Sequence, residues 1–177
     1  MGISHKIAQV PFYVSLGISQ GIMPLISYNY SSRNGLRTKK VIRFTQWLSC
    51  SFLVVMAVIL SVFSRQLMAA FIQTESIIDY GQYFLVGMSI AMPFLAMDFI
   101  GVAVYQACGM GSKSFLFAVM RKIILEIPAL FVLNWLFPLY GLAYAQFFAE
   151  FILACIAVYV LQGIIRDLPM TEPEHRV

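Results

Sequence analysis

One carboxylate inside a long apolar stretch is the group in this sequence best suited to chemistry. Residues 84–107 read FLVGMSIAMPFLAMDFIGVAVYQA, and Asp98 is the one side chain there that is charged at neutral pH. An aspartate at the centre of a membrane helix costs about 2.5 to 3.5 kcal/mol, so such a group normally faces a cavity or a partner on an ion or proton pathway. A proton and a metal cation would compete for this carboxylate, which makes Asp98 a candidate cation-coupling site and a candidate sodium ligand.

The helix that carries Asp98 offers it no compensating charge. Residues three, four and seven positions away share its helical face. They are Ala91, Phe94, Leu95, Gly101, Val102 and Tyr105. A hydrogen bond to a neighbouring helix is the structural alternative to an ion site. Pro93 lies five residues earlier, where a kink would open a polar cavity beside the carboxylate.

The composition predicts the elements that must position Asp98. Hydrophobic residues make up 60% of the chain and charged residues 11%, and the mean hydropathy is +0.82. A helix crosses a bilayer core of about 30 Å with roughly 20 apolar residues. Five stretches meet this requirement: 7–30, 44–64, 82–107, 121–139 and 143–164. We therefore expect an all-α membrane protein with five transmembrane helices.

The distribution of lysine and arginine predicts the orientation of these helices. Because five spans alternate in direction, ten of the 12 lysines and arginines fall on one side, and Lys6 and Arg65 fall on the other. The basic side is cytoplasmic by the positive-inside rule. This predicts a multi-pass protein of the cell (inner) membrane with a cytoplasmic C-terminus. The basic segment RNGLRTKKVIR lies between two spans, so we expect it to contact anionic membrane lipids and no nucleic acid.

The other reactive residue types form no catalytic pattern. Cys50, Cys108 and Cys155 lie singly in or beside separate helices, and His5 and His175 lie near the two ends. No spacing typical of a zinc site occurs, and no HExxH motif occurs. The sequence predicts a protein that is not an enzyme and uses no cofactor.

Two further acids lie within predicted spans. Glu126 follows Lys122 by one helical turn, which predicts an ion pair between them. Glu150 lies roughly two turns into the last span and has no cation within helical reach. It would line a cavity or cap a neighbouring helix. Periodicity leaves open which of the two acids faces the interior.

Three long segments are specific enough to compare with known transporters. They read GISQGIMPLISYNYSSRN, AMDFIGVAVYQACGMGSKSFLF and EIPALFVLNWLFPLYGLAYAQFFAEFI. In this order they resemble the end of helix eight, helix ten, and helix eleven with the start of helix twelve in the multidrug and toxic compound extrusion family, MATE. The resemblance covers nearly all of residues 7–165 and is strongest to the bacterial MepA-like branch.

The resemblance implies a twelve-helix transporter of two lobes that exports cationic amphipathic drugs in exchange for sodium or protons. Residues 1–166 would form most of the C-terminal lobe, helices eight to twelve, followed by a cytoplasmic tail at 167–177. Asp98 matches the family's tenth-helix acid, which helps to bind the cation in sodium-coupled members. Phe94 stands where some of those members have a tyrosine, and the seventh helix is absent, so the coupling ion, sodium or proton, stays open.

A candidate substrate cavity follows from the attraction of aromatic faces for organic cations. Its candidate lining residues are Phe84, Phe94, Met97, Tyr105 and Glu150. The expected partners are cationic drug-like molecules, membrane lipids and the missing N-terminal lobe. We expect the fragment to be inactive without that lobe, because alternating access needs a second body to rock against.

Two alternatives to drug efflux stay open. A flippase for lipid or polysaccharide precursors of the same superfamily would usually line its cavity with several cations, and intramembrane lysine and arginine are missing here. In a non-transporting membrane subunit, Asp98 would be an assembly contact with a partner helix.

Overall fold

Helices make up all the regular structure in the part of the chain that the structure describes, residues 2–71, 74–128, 131–132 and 140–167 of a computed structural model. They are α1 (Gly2–Gly21), α2 (Met23–Ser31), α3 (Gly35–Val62), α4 (Ser64–Ala69), α5 (Glu75–Ala107), α6 (Gly111–Val119) and α7 (Tyr140–Asp167), with a π-helical segment (Met120–Glu126) after α6. The predicted all-α membrane fold is confirmed.

Four helical stretches within the described ranges are long and apolar enough to cross a membrane. They are Gly2–Ser31, Gly35–Val62, Ile77–Ala107 and Phe147–Arg166. These stretches correspond to the predicted spans 7–30, 44–64, 82–107 and 143–164, which makes the chain a multi-pass membrane protein. The fifth predicted span, 121–139, includes residues 129–130 and 133–139, which lie outside the described residues.

Helix α5 is the central element of the bundle. Its sequence is apolar on every side, and a helix of this kind is stable when it is surrounded by other helices. It packs against α1, α2, α3, α4, α6 and α7. On one side, Ile100 and Val104 pack with Ile42 of α3 and Leu161 of α7. As a result, most residues in the middle of α5, including Asp98, are buried, whereas Ile90 is exposed.

The turns at one end of the bundle have defined geometry. After α5, the Met110 N–H donates to the Tyr105 carbonyl at 2.9 Å and the Gly109 N–H donates to Gln106 at 3.0 Å, which is a Schellman motif. Gly109 has φ +75°, a conformation that glycine adopts without a steric cost. The motif ends α5 sharply and sets the direction of α6.

The same pattern of hydrogen bonds ends α2, with a different residue in the left-handed position. Arg33 has φ 55° there, and the Asn34 N–H donates to the Asn29 carbonyl at 2.9 Å. The Asn34 side chain then accepts a hydrogen bond from the Arg37 N–H at 3.1 Å and caps α3. This tight connection brings the basic segment onto the first two turns of α3.

Candidate ion and substrate site

Asp98 is fully buried, with 0% of its surface exposed. It lies within the membrane-crossing stretch Ile77–Ala107, nine residues before the end of α5. The helix continues without interruption through Pro93, one turn and a half earlier. Because α5 is surrounded by other helices, the carboxylate is held in the interior of the bundle and away from lipid. Asp98 is therefore a buried acid within a membrane-crossing helix, and its role in binding an ion or a proton stays a prediction.

Helices α5 and α7 run parallel, and their contacts fix their register. The Phe94 ring lies 5.6 Å from the Phe147 ring and 5.3 Å from the Phe151 ring, both in edge-on arrangements. Further along, a Cβ atom added at Gly101 would lie 3.6 Å from Cβ of Ala157. Residue numbers thus rise together along the two helices. A bulky side chain at Gly101 would meet α7 close to Asp98.

Glu150 is the second acid in the interior, with 2% of its surface exposed. The register of α5 and α7 places its backbone level with Phe94, about one helical turn or roughly 5 Å along the axis from Asp98. Both acids therefore lie in the buried part of the bundle, at neighbouring levels. Glu150 therefore faces the interior, which sequence periodicity could not decide.

The structure distributes the other predicted cavity residues along α5. Phe84 and Tyr105 are both buried, but they are 21 positions apart in one helix, which corresponds to about 30 Å along its axis. They lie at opposite ends of the span and share no common site. The part of the predicted set that the structure brings together is Phe94 with Glu150, at one level of the α5–α7 pair.

Two aromatic residues next to Glu150 were missed by sequence reasoning. The Phe94 ring of α5 packs edge-on against the rings of Phe147 and Phe151. These two rings are stacked on each other, with centroids 6.2 Å apart. The signal was present as two phenylalanines four positions apart, which lie on one helical face. Such a group, with an acid one position before Phe151, has the composition of a site for an organic cation.

Met97 occupies a different environment from Phe94. Its sulfur atom lies 3.9 Å from Nε2 of Gln46 in α3, so the side chain points to the α3 side of the bundle. Tyr105 lies near Phe117 of α6, with ring centroids 6.4 Å apart. Met97 also packs against the cluster that contains Phe117, so Met97 and Tyr105 share a neighbour in α6, and the role of these side chains in binding substrate stays a prediction.

Glu126 ends the π-helical segment Met120–Glu126 and is half-buried. The side chain of its predicted partner, Lys122, lies outside the described residues, so the ion pair stays a prediction. Among the described residues, no group of three or more histidine, cysteine, aspartate or glutamate side chains is arranged to hold a metal ion.

Comparison with known proteins gives one family. A family model described as MatE matches residues 1–132. The multidrug export protein MepA of Staphylococcus saprophyticus subsp. saprophyticus is 28% identical over 166 residues, which are 94% of this chain and 36% of that protein. MepA of Staphylococcus aureus strain MRSA252 is 27% identical over 167 residues, with the same coverage. The chain thus spans about a third of the length of these curated relatives.

Proposed function

Because this chain belongs to the MatE family, we propose that it forms part of an antiporter that exports cationic amphipathic compounds in exchange for sodium or protons. The relatives described above are named multidrug export proteins. Their names supply the substrate class of the proposal. The interior of the bundle supplies the residues that would act on it.

The burial of Asp98 in a membrane-crossing helix is the observation that carries this proposal. An acid in such a position is retained at a cost of a few kcal/mol, and ion or proton pathways are where such acids occur. A proton or a sodium ion at Asp98 removes that cost by neutralising the charge. The cation and a positively charged drug would then compete for the same carboxylate, which is the basis of exchange.

We propose that residues 1–166 form most of the C-terminal lobe, corresponding to the family's helices eight to twelve. Transport then needs a second lobe, because alternating access in transporters built from repeats is a movement of one body against another around a central site. Neutralising Asp98 would change the packing around Pro93 and favour release of the drug.

The aromatic group formed by Phe94, Phe147 and Phe151 is the proposed contact for the drug. Aromatic faces attract organic cations with about 0.5 to 2 kcal/mol each. Glu150 lies at the same level and would add an attractive charge. Drug and coupling ion would therefore occupy this cavity in turn, the ion at Asp98 and the drug against the aromatic group one level away, close enough for its charge to compete for the Asp98 carboxylate.

We propose a cytoplasmic C-terminus, with Lys113 on the cytoplasmic side and Glu75 outside. In intact cells, a membrane-impermeant maleimide is expected to label Glu75→Cys, and Lys113→Cys only after permeabilisation. Glu75 pairs with Arg65 at 3.9 Å, but both side chains are exposed, so its loss is tolerated. Burial raises the pKa of the Cys108 thiol, which slows background labelling because the thiolate is the reactive form. Labelling of Lys113→Cys in intact cells would reverse the proposed orientation.

Flux through proteoliposomes tests the proposed activity. The native polypeptide that contains this chain is reconstituted, and movement of a fluorescent cationic dye is followed with a sodium or a proton gradient imposed separately. We expect the dye to move in the direction opposite to the flow of at least one of the two ions. Transport of a lipid-linked phosphate precursor without dye transport would favour a flippase. The absence of both fluxes would favour a non-transporting subunit.

A further inference from the structure

A cavity with a basic mouth lies between α3, α5 and α7, away from the two buried acids. Its volume is about 570 Å³. Helix α3 contributes Lys39, Arg43 and Gln46, and α7 contributes Gln162 and Arg166 together with three aliphatic side chains. Met97 of α5 lies at its inner end. The cavity is distinct from the proposed transport site, since neither Asp98 nor Glu150 lines it.

Helical spacing explains why these polar side chains meet. Lys39, Arg43 and Gln46 are separated by four and three positions and therefore share one face of α3. Gln162 and Arg166 share one face of α7 for the same reason. The two faces are held opposite each other by the cluster that contains Ile42 and Leu161. The sequence thus builds the cavity from two rigid helices, and no loop residue lines it.

Three positive charges in one cavity are unfavourable unless an anion is present. Among the side chains that the structure describes, no carboxylate lies within ion-pair distance of Lys39, Arg43 or Arg166. Glu75 and Asp79 lie at the opposite end of α5. Arg43 and Arg166 are exposed and Lys39 is half-buried, so water screens part of the repulsion between these like charges, and an anion held between them would remove the rest. The arrangement therefore calls for an anionic ligand.

The depth of the cavity identifies the kind of anion. Lys39 is the fifth residue of α3 and Arg166 is the last but one of α7, so the cations lie near the ends of membrane-crossing helices. Met97 is ten residues before the end of α5, about 15 Å along its axis, and its contact with Gln46 places it roughly one helical turn deeper than Arg43. A charged rim with an aliphatic wall behind it matches a phosphate group attached to an apolar body.

We propose that this cavity binds the phosphate group of an anionic molecule at the membrane surface, with Arg43 and Arg166 as its principal ligands. Arginine presents a planar fork of donors that matches phosphate oxygens, and basic pockets between membrane helices are known to hold lipid head groups. Gln46 and Gln162 supply further donors. An anionic phospholipid and a free phosphate ester share this chemistry, and the experiment separates them.

The test compares two variants of equal net charge. In the native polypeptide containing this chain, one variant combines Lys39→Gln, Arg43→Gln and Arg166→Gln. The control combines Arg37→Gln, Lys40→Gln and Lys113→Gln, whose side chains are exposed outside the cavity. Binding of fluorescent phosphatidylglycerol is titrated in phosphatidylcholine nanodiscs. Since each cation near an anionic group contributes about a factor of five, we expect the cavity variant to bind on the order of 100-fold more weakly.

The control variant is expected to lose far less affinity, because Arg37, Lys40 and Lys113 do not line the cavity and so do not contact a phosphate group bound in it. Circular dichroism checks that both variants are folded. Arg166→Gln alone, at a helix end, provides a milder version with an expected loss of about fivefold. If unlabelled phosphatidylglycerol displaces the labelled lipid and millimolar inorganic phosphate does not, the cavity binds lipid. If both displace it, the cavity binds phosphate groups in general. Equal affinities in the cavity variant and the control would overturn the proposal.

Discussion

Replacing Asp98 by asparagine is expected to abolish ion-driven efflux while leaving membrane insertion intact. Asparagine keeps the size of the side chain, so the packing of α5 is preserved, and it removes the group that exchanges a proton or sodium. Removing a buried charge also makes insertion easier, by part of the roughly 2.5 to 3.5 kcal/mol that a central aspartate costs, since the asparagine amide is still polar. The measurement is the steady-state dye gradient across cells or vesicles at a fixed ion gradient.

The expected loss is large because the driving force depends on this exchange. When each cycle carries one net positive charge inward, for example two monovalent ions for one singly charged dye molecule, 100 mV supplies about 2.3 kcal/mol, which corresponds to a dye gradient of about 50-fold when coupling is tight. We expect the Asp98→Asn variant to give the passive distribution of the dye. Asp79→Asn is the matched control, since it makes the same chemical change in the exposed first turns of the same helix. Normal efflux by Asp98→Asn would show that another group carries the ion.

Replacing Glu150 by glutamine is expected to raise the ion concentration that gives half-maximal dye transport by about tenfold. The reason is that the acid lies within roughly 5 Å of Asp98 along the helix axis. Two charges 5 Å apart at an effective dielectric constant of 20 interact with about 3 kcal/mol. A tenfold change corresponds to about 1.4 kcal/mol. This is less than the full interaction, because the side chains are also separated laterally and their interaction is weaker. The measurement is the ion concentration that gives half-maximal dye transport.

Binding of the coupling ion, which can be measured without transport, distinguishes a shared ion site from independent effects. If both acids act on one ion, adding Glu150→Gln to the Asp98→Asn variant should weaken ion binding by less than Glu150→Gln does in the unaltered protein, because effects within one site are not additive. Glu75→Gln serves as the control for the change of glutamate to glutamine, since Glu75 is exposed. An unchanged ion dependence in Glu150→Gln would limit Glu150 to packing or drug binding.

The fold could be predicted where hydropathy alone decides the structure. The stretch around Asp98 is apolar on all sides, and α5 is the central helix. Hydropathy does not mark where a helix begins, however. Helix α3 starts at Gly35, nine residues before the predicted span 44–64, because the Asn34 cap and the basic residues that follow are compatible with helix outside the apolar core.

The candidate site could be predicted only in part. Asp98 was recognisable because a single acid in an apolar stretch is exceptional. The interior position of Glu150 depends on which face α7 turns towards α5, and that face is chosen by tertiary contacts such as those of Phe94 with Phe147 and Phe151. A helix that is apolar on all sides gives periodicity no means of choosing it. Likewise, the basic cavity combines residues more than 100 positions apart in the sequence.

The coupling of drug movement to ion movement through Asp98 can be measured most directly by running the exchange backwards. Proteoliposomes containing the native polypeptide are given a dye gradient and no ion gradient, and sodium and proton movements are recorded separately. The account predicts that dye flowing in one direction drives one of the two ions in the other, and that Asp98→Asn removes this ion flux. Ion movement that is absent in the unaltered protein, or that persists unchanged in the Asp98→Asn variant, would contradict it.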